Sequence, residues 1–411
     1  MFEHLGIAPA DILLPNCNLS KWSVIACDQF TAQPDYWRRV EENVGGAPSS
    51  LRLILPEAYL NECSAEESVA RINGTMEQYL RQHLFTTQEN AMIYVEREIT
   101  GGGKRRGLVC RVDLEEYDYH PGSQALIRAT EKTVLERIPP RVHIREHAPL
   151  ELPHVMILMD DSARSVIAPL EAHKDEMEKL YGFTLMEGGG RIEGWRLDDA
   201  SVRRVAEDVA FLRRQTELLF AVGDGNHSLA AAKEIYERDK GRTPREQWAD
   251  LPSRWALAEV VSLNDPGVVF LPIHRMAFGV DAERMLEAFG AYYPDAIPGE
   301  GEGHVIRWRC KERGGAITVP HPAADLAVET LQTFLDDYLA RHGGALDYIH
   351  DVSAVEEMSS QTRCMGFLLP EFPRSSLFPY VKAHGALPRK TFSIGHGRDK
   401  RYYLEARALQ R

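Results

Sequence analysis

The chain has 411 residues, 44% apolar and 27% charged, with 48 Lys plus Arg against 61 Asp plus Glu and a formal net charge of −13. This balance excludes a general nucleic-acid binder, which carries an overall basic footprint, and the globular composition excludes disorder and coiled coil. At roughly 150 residues per domain the length predicts two or three domains, or two that interlock. Six cysteines, Cys17, Cys27, Cys63, Cys110, Cys310 and Cys364, lie in no C-x-x-C spacing, so neither a zinc ribbon nor a disulfide framework is expected; reduced thiols in a cytoplasmic protein are. The first residues lack a basic and then apolar leader pattern, and no run approaches 18 apolar residues, so neither a signal peptide nor a membrane span is expected.

In chain order, residues 23–26 form a short apolar run entering Cys27-Asp28-Gln29-Phe30, and 34–44 predict a helix with Pro34 at its first turn. Residues 65–84 carry Val69, Ile72, Met76, Tyr79 and Leu80 at helical spacing. Residues 91–99 and 107–114, separated by three glycines, predict a hairpin. The segment 128–147 mixes both charge signs, and the alternation of Arg141-Val142-His143-Ile144-Arg145-Glu146 suggests a strand. Residues 155–159 predict a buried strand, 172–181 a helix, and Gly188-Gly189-Gly190 a tight loop. Asp198 is a predicted N-cap for a helix over 199–212. Residues 218–222 predict a buried strand that turns through glycines into a helix ending near Lys240. The polar stretch 244–252 suggests a boundary, giving domains of 1–245 and 246–411. Beyond it, 255–263 and 364–369 predict strands, and 327–341 a helix. The interleaving predicts an α/β or α+β chain: mixed sheets with flanking helices.

The most informative segment is 218–237, in which a buried strand delivers Gly223-Asp224-Gly225-Asn226-His227-Ser228 straight into a helix. Gly223 and Gly225 let backbone approach a ligand, and the helix start offers unpaired N–H groups to an anion. The plainer alternative is that Asn226 or Ser228 only caps the helix. The pattern is neither a dinucleotide fingerprint nor a P-loop. A second candidate is 389–401, with five Lys/Arg, one Asp and the Gly395-His396-Gly397 loop, which is either an anion pocket or a solvated terminal hairpin. A third is Glu131, a general base or metal ligand, or else an ordinary surface carboxylate paired with Lys132 or Arg128. His143 and His147 are four apart but have no third ligand in view, which argues against zinc. Cys27 reads as a buried small hydrophobe rather than a nucleophile.

Residues 218–237 resemble the Asp-Gly-His-His-Arg strand–turn–helix of the "domain of unknown function 1015" family of bacteria and archaea. Arg128-Ala-Thr-Glu131-Lys132-Thr133 is similar to that family's His-Glu-Lys-Thr segment. Residues 185–195 (LMEGGGRIEGW) and Tyr348-Ile-His350-Asp351 also fit, and Leu387-Pro-Arg389-Lys390-Thr391-Phe392 resembles its C-terminal Met-Pro-x-Lys-Ser-Thr. The matches are collinear over most of the chain. The glycine-histidine turn is more remotely similar to the ParB/sulfiredoxin-like group, which includes nucleotide-binding proteins and free-serine kinases. These resemblances imply a ParB/sulfiredoxin-like N-terminal part that binds nucleotide phosphate at Gly223, Gly225, Asn226 and Ser228, with Arg389 and Lys390 neutralising charge. They also imply Glu131, Asp224 and His227 as catalytic residues, with Asp28, Lys132 and His396 as further members. ATP or ADP with Mg²⁺ is the implied cofactor, and the implied activity is a kinase-like transfer to a small hydroxyl metabolite such as serine. Ser228 departs from the pattern by standing where the family has Arg, so the bidentate cation is missing. A non-catalytic sensor of a nucleotide or small anion is therefore the alternative. No nucleic acid or membrane partner is expected.

Overall fold

The computed structural model describes residues 1–31, 33–59, 65–132 and 138–409. Contacts divide the chain into two compact units interleaved in sequence. The first is Met1–Val269, Leu377–Ala386 and Ile394–Arg411; the second is Phe270–Ser376 and Leu387–Ser393.

The first unit is built on a mixed sheet. Its strands are β1 (Ile7–Ala8), β2 (Ile93–Glu98), β3 (Lys104–Asp113), β4 (Tyr117–Asp118), β5 (Ile127–Ala129), β6 (Met156–Met159), β7 (Glu178–Thr184), β8 (Arg191–Arg196), β9 (Phe220–Asp224) and β10 (Trp255–Ser262). They run in the order β7-β8-β2-β3-β10-β6-β9-β5-β4, with β1 also on β3. β5 lies parallel to β9, whereas β6 lies antiparallel to it with Met156 opposite Asp224. β10 lies parallel to β6, Glu259 opposite Met156. The expected mixed sheet with flanking helices is what the chain forms.

Alternate residues of the strands feed two cores, as the period of two requires. Tyr94, Leu108 and Cys110 face one, and Ile93, Val95 and Val109 the other. The first face is covered by α3 (Ile138–Arg145), α4 (Asp199–Arg213) and α5 (Asn226–Lys240). The second is covered by α1 (Pro34–Val44), α2 (Ala65–Arg81) and the C-terminal tail through Tyr402, Tyr403, Leu404 and Ala406. Tyr402–Tyr403 pair with Val24–Ile25, so the tail is threaded into the unit and is no solvated hairpin.

The second unit has strands β11 (His274–Phe278), β12 (Ile297–Pro298), β13 (His304–Cys310), β14 (Arg313–Val319), β15 (Ala345–Ile349) and β16 (Cys364–Leu368), in the order β12-β14-β13-β16-β11-β15. One face buries α6 (Ala282–Tyr292) and α7 (Ala327–His342) over Ala277, Ile306 and Phe367. Val355 of α8 (Val352–Ser359) packs on the other, against Met276 and Cys364.

Several expectations are corrected. Residues 141–145 are helical and Glu146 is a turn, because Ile138 and Val142 pack α3 onto α5. Residues 178–181 belong to a strand: the charge-rich segment forms a short helical turn over Leu170–His173, then pairs with β8 across the triple-glycine loop. Cross-strand pairing here overrides local helix propensity. The break expected at 245/246 falls inside the first unit, because β10 pairs with β3 and β6. Cys63 and Thr133 lie outside the described residues; the described cysteines are free thiols. Among the described residues no helix is long and apolar enough to cross a membrane.

Candidate functional site

β9 is buried over Phe220–Val222 and surfaces at Asp224. Gly225 follows at φ 81°, a left-handed conformation that favours glycine, and a Cβ there would sit 3.0 Å from Val155 Cγ2. The Asp224 carboxylate accepts the Gly225 N–H at 3.1 Å. α5 then begins at Asn226 without a side-chain cap. Asn226, expected to cap or to bind, instead ties α5 to β5: its Oδ1 accepts the Thr130 N–H at 3.3 Å and its Nδ2 lies 3.4 Å from Thr130 Oγ1. Thr130 Oγ1 in turn donates to the Val222 carbonyl at 2.6 Å. The N-cap glycine offers the first turn no side-chain oxygen, and the positive end of the helix dipole there favours an anion. At Gly223 a Cβ would lie 2.6 Å from Ile394 Cδ1 and 2.8 Å from Leu158 Cγ, so packing alone demands that glycine.

Lys400 reaches this turn from the tail, its Nζ 3.4 Å from Asp224 Oδ2, with its side chain only 9% exposed. Ser228, half-buried in the first turn, places Oγ 3.4 Å from Nε2 of buried His154. The other ring nitrogen of His154 is 2.9 Å from the Tyr403 hydroxyl, which also accepts the Cys27 N–H at 3.3 Å. Glu131 is half-buried and leaves β5 at the end where Asp224 leaves the parallel β9; Lys132 beside it is exposed. Arg128 Nε donates to the Ala125 carbonyl at 2.9 Å. His227 is half-buried beside Ser228. Asp28 accepts Gln29 Nε2 at 3.0 Å. Burial pushes the neighbouring Cys27 thiol up to about 12, consistent with an unreactive neutral thiol.

The rest of the tail is spent differently. The N–H of exposed His396 donates to Asp399 Oδ2 at 2.9 Å, and Asp399 Oδ1 accepts from Thr100 N and Oγ1 at 2.8 and 2.9 Å. The glycine-histidine loop thus closes on an internal carboxylate. Arg401 lies between Glu259 and Glu405, all three buried. Burial alone would raise the Glu259 carboxyl, but Arg401 and Arg105 hold it below its ordinary value. Arg389 and Lys390 belong to the second unit. Their carbonyls accept from buried Arg275 at 3.2 and 2.8 Å, and exposed Arg389 stacks over the Tyr348 ring at 5.6 Å.

A cleft of about 370 Å³ lies elsewhere in the first unit, lined by Glu98, Thr100, Lys104, Asp399 and the Gly188–Gly190 loop; none of the residues of the turn lines it. Among the described residues no three His, Cys, Asp or Glu converge as a metal site. The structure brings Asp224, Ser228, His154, Tyr403 and Lys400 together at the open end of β9. Sequence reasoning missed His154 and Tyr403, which carry no spacing signal, and left Lys400 undecided inside a run of cations.

Residues 7–377 match the family described as "Protein of unknown function (DUF1015)". The chain belongs to that family. No curated protein matches this DUF1015 member. Among solved structures, a conserved hypothetical protein from Pyrococcus furiosus aligns over 72% of this chain and 90% of its own, at 11% identity and a TM-score of 0.37. A free serine kinase in complex with AMP aligns over 73% and 92%, at 10% identity and a TM-score of 0.41. SbnI with a C-terminal truncation, from Staphylococcus aureus, aligns over 70% and 82%, at 10% identity and a TM-score of 0.37. At these scores the likenesses carry no inference about what this DUF1015 chain does.

Proposed function

We propose that this chain is a nucleotide-dependent phosphotransferase acting on a small hydroxyl metabolite, with an amino acid such as serine as the first acceptor to test. The observation that supports the reading most is the pairing of Asp224 with Lys400, 3.4 Å apart, at the uncapped start of α5. Phosphoryl transfer needs positioning and charge neutralisation more than covalent chemistry from the protein. The start of α5 at Asn226 and Ser228, with its dipole, and the Lys400 ammonium would take phosphoryl oxygens. Asp224, with Glu131 at the same sheet end, would accept the hydroxyl proton or a metal bond. Mg²⁺ carried in on the nucleotide would neutralise phosphate charge and requires only one or two protein carboxylates. Arg389 and Lys390 keep their assignment to charge neutralisation on the C-terminal motif alone. Asp28, Lys132 and His396 are outer candidates.

The test is calorimetric titration with ATP and ADP, with and without Mg²⁺, followed by a transfer assay against a panel of hydroxyl metabolites. Binding with transfer to a panel member, lost in Glu131→Gln or Asp224→Asn, is expected. No binding at millimolar nucleotide would end the reading. Binding without transfer favours a sensor, for which Ser228 in place of the family's Arg is the motive.

A further inference from the structure

We infer that Ser228 is a nucleophile activated by His154, able to carry a phosphoryl group as a covalent phosphoserine. The inference draws its natural phosphoryl donor from the phosphotransferase reading, but its geometry stands apart from that reading.

His154 is 7% exposed, so both ring nitrogens need partners inside the protein. Nε2 faces Ser228 Oγ at 3.4 Å and Nδ1 faces the Tyr403 hydroxyl at 2.9 Å. The phenol oxygen has two acceptor positions and one proton. It accepts the Cys27 N–H at 3.3 Å. The remaining acceptor position takes an N–H from Nδ1. In this tautomer the proton sits on Nδ1, and Nε2 is left to accept from the Ser228 hydroxyl. Nucleophile, base and orienting group then stand in the order that activates a serine. A separation of 3.4 Å is long for a working O–H···N contact, but such contacts are commonly loose before substrate binds.

The position of Ser228 selects the electrophile. It lies in the first turn of α5, where the positive end of the helix dipole favours negative charge on the group under attack. Lys400 adds a cation at the same turn through Asp224. A phosphoryl centre, which accumulates negative oxygens, fits better than a neutral acyl group. In the step, Ser228 Oγ bonds to phosphorus and the bond from phosphorus to the bridging oxygen of the nucleotide breaks. The leaving nucleotide keeps that electron pair, and the serine proton passes to Nε2. When an acceptor hydroxyl later attacks the phosphoserine, its proton leaves with a base and His154 returns its own to Oγ. No oxidant or reductant is required.

Two arms on the full chain test this. A fluorophosphonate probe needs no nucleotide: it forms an oxygen–phosphorus bond at an activated serine and expels fluoride. Incubation with phosphoryl-labelled ATP or ADP and Mg²⁺ is the second arm, and peptide mass spectrometry locates the adduct in both. Labelling at Ser228 in both arms is expected, abolished by Ser228→Ala. His154→Gln should slow labelling by about 100-fold while leaving nucleotide affinity and melting temperature near wild type. Tyr403→Phe, which keeps the ring but removes the orienting oxygen, should slow labelling by about tenfold and change the ring-nitrogen NMR signals of His154. It also serves should the glutamine variant not fold. Absence of the fluorophosphonate adduct at Ser228, or an undiminished labelling rate in both His154→Gln and Tyr403→Phe, overturns the inference. Nucleotide turnover with Ser228 unmodified overturns it while leaving the phosphotransferase reading intact. A probe adduct at Ser228 in a protein that binds no nucleotide supports the nucleophile and sinks the nucleotide reading.

Discussion

The strand–turn–helix around Asp224 and the C-terminal tail both looked like anion sites in one dimension, and they part company in three. The turn keeps its polar groups at a strand end: Asp224 surfaces, Gly225 takes φ 81° and α5 starts uncapped. The tail disperses its cations. Arg401 is enclosed with Glu259, whereas Lys400, the residue before it, reaches Asp224; Arg389 lies in the other unit. A run of positive charge is therefore no evidence of a positive surface. The backbone geometry of a turn is local, but the pairing of a charge is settled by residues that can be more than a hundred positions away, as Arg401 and Glu259 are.

This contrast can be broken or sharpened by substitution. Arg401→Ala should have the largest effect. It leaves Glu259 and Glu405 buried without their guanidinium, which costs about 3–5 kcal/mol and is measured by urea unfolding. A loss below about 1 kcal/mol would mean the tail is peripheral to the fold. Asp224→Asn should act the other way round, lowering phosphoryl transfer by about 10²-fold or more while unfolding free energy changes by about 1 kcal/mol. Acid should unmask the tail's pairs. Glu259 and Glu151 are held by arginines below their ordinary value of 4.5, against the effect of their burial. Their contribution is full above that value and is lost as pH falls through the lower folded values. The melting midpoint should drop steeply below about pH 4.5, and Glu259→Gln should flatten the decline. Gly225→Ala should cost about 1–2 kcal/mol, from the positive φ and the 3.0 Å approach to Val155, visible in thermal unfolding. Arg389→Ala should be the mildest for stability, under about 0.5 kcal/mol. A fall in nucleotide affinity would attach it to phosphate, and unchanged affinity would detach it.

Legibility followed the range of the signal. The helices beginning at Pro34, Asp199 and Asn226 announced themselves through proline, an Asp198 cap and a glycine turn, all local devices. Asp198 does accept the Ser201 N–H, at 2.7 Å. Residues 141–146 and 178–181 were misread because their states depend on partners, α5 for one and β8 for the other. At the site, Asp224 and Ser228 could be picked out from the turn, but His154 could not. It precedes an antiparallel strand, and only the register of Met156 against Asp224 carries it to the start of α5.

By itself, the sequence determined the kind of chain: acidic, mixed α/β, in the DUF1015 family, with a glycine turn feeding a helix. The family follows from the resemblance of its motifs, and the rest from composition, periodicity and short-range backbone chemistry. Only the tertiary structure decided which cations are spent on the core and which one meets Asp224, and that Ser228 has a histidine behind it. Those outcomes depend on strand register and on the tail's route through the sheet face, where burial makes every charge find a partner or bear a large desolvation penalty.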